Sequence, residues 1–164
     1  MSVKMTAVVF DERQDFTMIK DVIERLSAPE EGAMIVRAAS SKDLAQAQKD
    51  MAEIGLKPIP QGYIDFLREY NGFAWNGVEF FSTDQVTDPD TEYTLMDIVT
   101  ENEDFARYNE DLPDLVYLGR ADDDLYVYDT KSQKYQVLDF TGRDVMDEFD
   151  TFDALFTAVV EPRI

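Results

Sequence analysis

The side chains of this chain that could do chemistry are mostly carboxylates. Its 164 residues contain 35 Asp and Glu against 15 Lys and Arg, with neither histidine nor cysteine. Without imidazole or thiol there is no Ser-His-Asp arrangement, no Cys-His pair, no thiolate zinc site and no disulfide. Any catalysis would depend on carboxylates, Lys, Tyr, Ser or Thr. We therefore predict no catalytic residue, no bound metal and no cofactor.

Two acidic stretches are partly similar to metal sites. Asp122-Asp123-Asp124 is the densest charge run, but three consecutive residues rarely converge on one Mg²⁺ or Ca²⁺. The spacing Asp88-x-Asp90-x-Glu92 begins like a calcium loop, yet Tyr93 stands where that loop needs a glycine. A pair of carboxylates for glycoside hydrolysis stays open, because the separation of two acids is a spatial quantity.

The formal net charge of −20 indicates which partners suit the chain. A field of that sign repels nucleic acid and anionic lipid, so we expect binding to neither nucleic acid nor membrane. It attracts cationic proteins. The alternative is that the acidic surface serves solubility alone. The acids are spread along the sequence, which indicates a folded acidic surface and not a charged tail.

A small set of residues is our candidate partner-binding surface. Predicted loops carry six acids, and a rigid scaffold usually displays its binding residues on loops. Trp75, the only tryptophan, is next to the predicted turn at Asn76-Gly77, where it could be an exposed anchor or, beside aromatic strand neighbours, a core residue. The alternative is a solvated acidic rim whose exposed pairs contribute below about 1 kcal/mol each. The candidates are Trp75, Asn76, Asp84, Asp88, Asp90, Glu92, Asp122 and Asp123.

The first half of the chain predicts helices around one short strand. Apolar residues recur every three or four positions over 12–26, and Ser40-Ser41 and Gly55 provide the caps of another helix. Two prolines keep the residues before them extended, so the next helix begins only after Pro60. The predicted elements are a helix over 12–26, a strand over 33–38, a helix over 42–54 and a helix that ends at Asn71-Gly72.

The second half predicts an antiparallel sheet and a closing helix. The aromatic run 73–82 indicates one strand, or two strands that turn at Asn76-Gly77. A helix is predicted from about Thr94 to Tyr108, and short β-prone runs over 115–119, 125–128 and 135–138 indicate a meander. Asp150 is the predicted N-cap of the last helix. The fold class is α+β: a single domain with a mostly antiparallel sheet, flanking helices and a C-terminal closing helix.

The order of these motifs resembles the SUKH superfamily. The resemblance rests on 56–72, on Tyr117-Leu118-Gly119 with 122–129, and on 149–160, and it covers roughly residues 10–161 in order. It implies that residues 1–164 form a single SUKH-like domain. Within the superfamily the chain is most similar to the YrhA-type bacterial branch, whose members are commonly immunity proteins that neutralise toxins of neighbouring cells. Other members are similar to eukaryotic regulators of cell-wall assembly.

The resemblance implies a non-catalytic module that binds a protein. We expect an intracellular immunity protein, or antitoxin, whose partner is a cationic toxin domain such as a basic nuclease. The alternatives are a regulatory adaptor in cell-envelope assembly and a small carboxylate-dependent enzyme. A cytoplasmic location is expected. The sequence contains no run of about 18 apolar residues, the length needed to span a bilayer, and the apolar stretch within Met1–Phe10 is too short for a secretion signal.

Overall fold

The computed structural model describes residues 18–164. A seven-stranded sheet is at its centre, every neighbouring pair of strands in it is antiparallel, and the strand order is β1-β2-β3-β6-β7-β8-β9. A separate two-stranded ladder joins β4 and β5. The elements are α1 (18–26), β1 (Met34–Arg37), α2 (Ser41–Ile54), α3 (Gln61–Glu69), β2 (Tyr70–Trp75), β3 (Val78–Phe80), β4 (Val86–Thr87), β5 (Thr94–Leu95), α4 (Ile98–Tyr108), β6 (Leu115–Arg120), β7 (Asp124–Asp129), β8 (Lys134–Asp139), β9 (Val145–Phe149) and α5 (Phe152–Val160).

The α+β class, the antiparallel sheet and the closing helix are confirmed. Single turns of 3₁₀ helix at Pro29–Glu31 and Glu161–Arg163 complete the described elements. The segment Met1–Phe10 and the first part of the helix predicted over 12–26 lie outside the described residues. From residue 18 onward, no helix is both long enough and apolar enough to cross a membrane.

One face of the sheet packs against α5. Phe73 and Phe80 are paired across β2 and β3, so they point to the same side, where their rings lie 5.1 and 5.4 Å from the ring of Phe156. Tyr126 of β7 stacks on Phe80 at 5.2 Å. Because side chains alternate along a strand, the neighbours of these aromatic residues point to the opposite face. That opposite face holds the candidate site.

Helix α4 covers part of the opposite face by packing on β6. The amide of the buried Asn102 donates to the backbone oxygen of Tyr117 and accepts from its N–H, both at 2.8 Å. The Phe105 and Tyr117 rings lie 5.1 Å apart. The β4–β5 hairpin covers another part, with Leu95 fully buried. A groove on this face is lined by strands β1, β2, β3 and β6 and by the β4–β5 hairpin.

Helix α3 begins after Pro60, as the prolines predict, but its end differs from the prediction. Tyr70 is extended at φ −140° and continues directly into β2, so Asn71-Gly72 is not the helix end. Asn71 is held inside the fold: its side chain donates to Thr83 Oγ1 and accepts from the Thr83 N–H, both at 2.8 Å. A tertiary contact therefore outweighs the local capping preference.

The start of α3 is also completed by a distant residue. Pro60 makes no side-chain cap bond. The hydroxyl of Tyr135 on β8 lies at this end of the helix, hydrogen-bonded to the backbone of Gly62 and Tyr63. There is no room for a side chain at Gly62, since a Cβ there would lie 2.4 Å from the Tyr135 hydroxyl oxygen.

Three further boundaries correct the sequence predictions. Helix α4 begins at Ile98 and not at Thr94, because 94–95 pairs with β4 and Asp97 accepts the capping bond from the Thr100 N–H. The last helix is capped by Thr151 and not by Asp150. Strand β9 was not predicted, since its exposed sequence lacks an apolar alternation.

Candidate partner-binding site

The floor of the groove is a row of side chains across four strands. Met34, Ala74, Glu79 and Arg120 are successive pairing partners on β1, β2, β3 and β6, so their side chains share the face opposite α5. The groove above them has a volume of about 620 Å³. This lies within the roughly 300–1,000 Å³ range of ordinary ligand clefts.

An ion pair occupies the middle of this floor. The side chain of Glu79 is only 10% exposed, and its Oε1 accepts a 2.6 Å hydrogen bond from Arg120 Nε. The hydroxyl of Tyr93 donates to the other oxygen, Oε2. Burial by itself would lower the pKa of Arg120, but the Glu79 carboxylate outweighs it and holds the pKa above its ordinary value. Both oxygens of Glu79 are thus engaged.

A second carboxylate, Glu101 on α4, interacts with the same guanidinium. Burial raises the pKa of Glu101 above its ordinary value, Arg120 opposes that shift, and Glu79 adds to it. Arg120 thus interacts with two acids. Arg120 offsets part of the charge of these two acids, and Glu79 presents no free carboxylate oxygen at the floor.

The rim of the groove is built from turns. The β2–β3 turn places Asn76 and Gly77 at φ 48° and 82°, the left-handed geometry of a tight hairpin, so the second alternative, two strands that turn here, is the observed one. The tip of the β4–β5 hairpin is fixed by Asp88, whose Oδ1 accepts from the Asp90 N–H at 2.9 Å and whose backbone oxygen accepts from the Glu92 N–H at 2.8 Å. The other rim residues come from the β6–β7 and β8–β9 connections.

The structure brings half of the eight predicted residues to the lining of this one groove and three more to the turns beside it. Trp75, Asn76, Asp88 and Asp122 line it. Asp90 and Glu92 belong to the same hairpin tip as Asp88, and Asp123 follows Asp122 in the β6–β7 turn.

Asp84 neither lines the groove nor belongs to one of the turns that form its rim. Its carbonyl accepts from the Ser82 hydroxyl, and its carboxylate accepts from Thr83 Oγ1 at 3.4 Å. These contacts hold it against the start of the β3–β4 connection.

Trp75 is a core residue, as one of its two interpretations predicted. It is 9% exposed, and its indole N–H donates to the Glu31 carbonyl at 3.0 Å. The exposed aromatic side chains of the rim are Tyr93 and Phe140, which sequence reasoning missed. The available signal was position: Tyr93 directly follows the acidic hairpin tip, and Phe140 follows an apolar strand just before Gly142.

The rim acids lack internal cations. Among the described residues, none of the six predicted acids forms an ion pair with Lys or Arg. No group of three or more acids in residues 18–164 is arranged to hold a metal ion. The rim acids are therefore uncompensated in the sense that no ion pair reaches them, although two arginines contact the rim: Arg163 donates to the Asn76 carbonyl at 3.3 Å, and the Arg143 guanidinium lies 5.4 Å from the centre of the Phe140 ring.

A second groove, of about 670 Å³, gives a useful contrast. It lies where α3 and α5 begin, and four acids line it. Asp65, Glu69 and Asp150 are paired with cations of the chain, and Asp153 accepts from the Ile19 N–H at 3.1 Å. Its charge is thus largely compensated within the fold. None of the predicted site residues lines it. The uncompensated acids distinguish the first groove as the candidate site.

Comparison with protein families matches residues 38–157 to the SMI1/KNR4 family, SUKH-1. The chain belongs to this family. The match confirms the predicted SUKH superfamily and includes the rim turns of the β2–β3, β4–β5, β6–β7 and β8–β9 connections, while the YrhA-type branch stays a prediction. No curated protein matches the chain. Membership in SUKH-1 fits a non-catalytic module, of the immunity or the regulatory type, that interacts with a protein.

Proposed function

We propose that this SUKH-1 protein is an immunity protein that binds a cationic toxin domain with its acidic rim and blocks it without chemistry of its own. A basic nuclease is the toxin class that fits best, because an acidic surface can occupy a groove built for phosphates. Such a protein would act in the cytoplasm, where it would meet the toxin.

The uncompensated rim is the observation that carries this proposal. Acids that repel one another in the free protein gain favourable interactions when a cationic surface approaches. The effect is largest where the acids surround a concavity, since the walls focus the field. The paired acids of the second groove offer no such gain.

The first test is affinity capture from lysate of the host, with toxin-encoding neighbouring loci co-expressed and the bound proteins identified by mass spectrometry. We expect one stoichiometric basic protein, retained at low salt and weakened at high salt, because exposed charges are screened within about 10 Å at 0.1 M salt. Capture of an envelope protein instead would replace the antitoxin proposal with the regulatory adaptor. No partner under either condition would refute protein binding and direct attention to the carboxylate-dependent enzyme.

A charge-reversed variant tests the surface itself. Asp88→Lys with Asp122→Lys reverses two rim acids, and we expect it to weaken capture by about tenfold or more and to abolish protection of toxin-expressing cells. The matched control is Asp21→Lys with Glu24→Lys, which makes the same change in net charge on exposed positions of α1. Equal weakening by both variants would show that only overall charge matters, which contradicts a binding surface at the rim.

A further inference from the structure

Two exposed aromatic side chains stand among the rim acids without an assigned role. Tyr93 is 41% exposed and Phe140 is 47% exposed, although both are large and lie in a concave surface. Burying such rings at an interface is strongly favourable. Their position indicates that the groove recognises more than overall charge.

Both rings are already held in place in the free protein. The hydroxyl of Tyr93 donates to Glu79 on the groove floor, which fixes that end of the ring. The ring of Phe140 lies beneath the guanidinium of Arg143, 5.4 Å from its centroid. The same ring type attracts cations through its negative faces. Arg143 thus occupies part of the Phe140 ring, and the exposed remainder of that ring, together with Tyr93, gives the groove aromatic walls whose chemistry suits a further cation.

Carboxylate oxygens with unused acceptor capacity lie beside these walls. The Asp122 side chain makes no hydrogen bond or ion pair to any other residue in 18–164, and Asp88 accepts a single bond from the Asp90 N–H. An ionised carboxylate has about four acceptor positions. An incoming donor can thus be bound without breaking existing contacts at Asp122.

From this combination we infer that the groove binds an arginine side chain presented by a short extended or looped segment of the partner. The guanidinium stacks on the aromatic walls and donates to Asp88 and Asp122. Arginine fits better than lysine because its planar fork stacks on rings and pairs with carboxylates bidentately. The inference rests on the proposed cationic protein partner and specifies which side chain of that partner the groove recognises.

The test titrates ¹⁵N-labelled protein with the capped peptide Gly-Gly-Arg-Gly-Gly and with its lysine and citrulline counterparts. Citrulline keeps the shape and removes the charge. We expect shifts of the Trp75 indole N–H and of the Asn76, Gly77 and Asp122 amides, with arginine binding about threefold or more tighter than lysine and tighter still than citrulline. Equal binding of arginine and citrulline, shifts spread over the whole acidic surface, or no shift up to about 10 mM peptide would each overturn the inference.

Variants of the aromatic walls give a second readout. Phe140→Leu should reduce the preference for arginine over lysine about threefold or more, and Tyr93→Leu should do the same. The matched control is Tyr108→Leu, which removes an aromatic ring that is 78% exposed on α4 and lies outside the groove. The amide spectrum of each variant verifies its fold, and if Tyr93→Leu does not fold, Phe140→Leu decides alone. An unchanged preference for the arginine peptide over the lysine peptide in Phe140→Leu would overturn the inference.

The two proposals fail in different ways. If the arginine peptide binds at the groove but no toxin is captured, the antitoxin proposal is refuted and the arginine site is still supported. If the unaltered protein and Phe140→Leu capture a toxin equally well and neither prefers one peptide, the arginine site is refuted and the antitoxin proposal stands.

Discussion

The Glu79–Arg120 pair on the groove floor should be costly to break from one side only. Arg120→Met keeps the aliphatic stem but leaves the Glu79 carboxylate, only 10% exposed, with Tyr93 as its remaining side-chain partner. Removing one partner of a fully buried pair costs about 3–5 kcal/mol. Because the Arg120 side chain is 48% exposed, water reaches its end of the pair, and we expect a loss of about 2 kcal/mol.

The reverse change should cost less. Glu79→Gln keeps the shape and leaves a half-exposed guanidinium that water can solvate, so we expect a loss of about 1 kcal/mol. The double variant no longer contains the unpaired charge of Glu79, although the half-buried Glu101 still loses the attraction of Arg120. Its loss should be about 1.5 kcal/mol, well short of the sum of the two single losses, because the two residues are directly coupled.

Urea unfolding followed by circular dichroism measures all four free energies. The buried Trp75 gives a second probe, because it is the only tryptophan and loses its core environment on unfolding. Equal m-values across the set would show that the same surface is exposed each time. Additive losses, with a coupling below about 0.5 kcal/mol, would refute the reasoning that Glu79 depends on Arg120.

Two other features make predictions that do not involve the ion pair. A Cβ at Gly119 would lie 2.3 Å from the backbone oxygen of Glu79, so Gly119→Ala should lower the free energy of unfolding in urea by about 2 kcal/mol or more. The control Gly142→Ala should lower it little, because a Cβ at Gly142 would meet only flexible carboxylates. Equal losses in the two variants would contradict this prediction. Four buried tyrosines have pKa values raised above 10 by burial, and that of Tyr126 reaches about 12. The unfolded state therefore loses protons first, and stability that is complete below pH 10 falls as the pH rises toward each folded-state pKa, by about 1.4 kcal/mol per pH unit for each tyrosine. The tyrosinate absorbance of these four should appear together with alkaline unfolding, and ionisation of more than four of the eight tyrosines while the helices are intact would contradict the assignment to Tyr63, Tyr117, Tyr126 and Tyr135.

Local signals were enough to predict the elements whose ends depend on neighbouring residues. Helix α2 has the capping box of Ser40 and Asp43 and ends at Gly55 in the left-handed conformation. The Asn76-Gly77 hairpin is equally local. The failures lie where distant residues intervene, as at Asn71, which bonds Thr83, or at β9, which is a strand because β8 pairs with it.

The candidate site was predictable in part for the same reason. Loop acids can be recognised from composition, and the structure brings several of them to one groove. The floor could not be predicted, because Glu79 and Arg120 are 41 residues apart and meet only through the register of β3 and β6. The roles of Tyr93 and Phe140 depend on which turns come together, which sequence spacing does not specify.

The division of the groove between strands and turns has an evolutionary consequence. Its floor belongs to strands whose inward neighbours form the aromatic core, so substitutions there disturb folding. Its rim belongs to separate turns, which tolerate substitution because their side chains carry little of the packing. If partners bind as proposed, a lineage can exchange one cationic adversary for another by altering a few turn residues, and the scaffold inherited beneath them need not change.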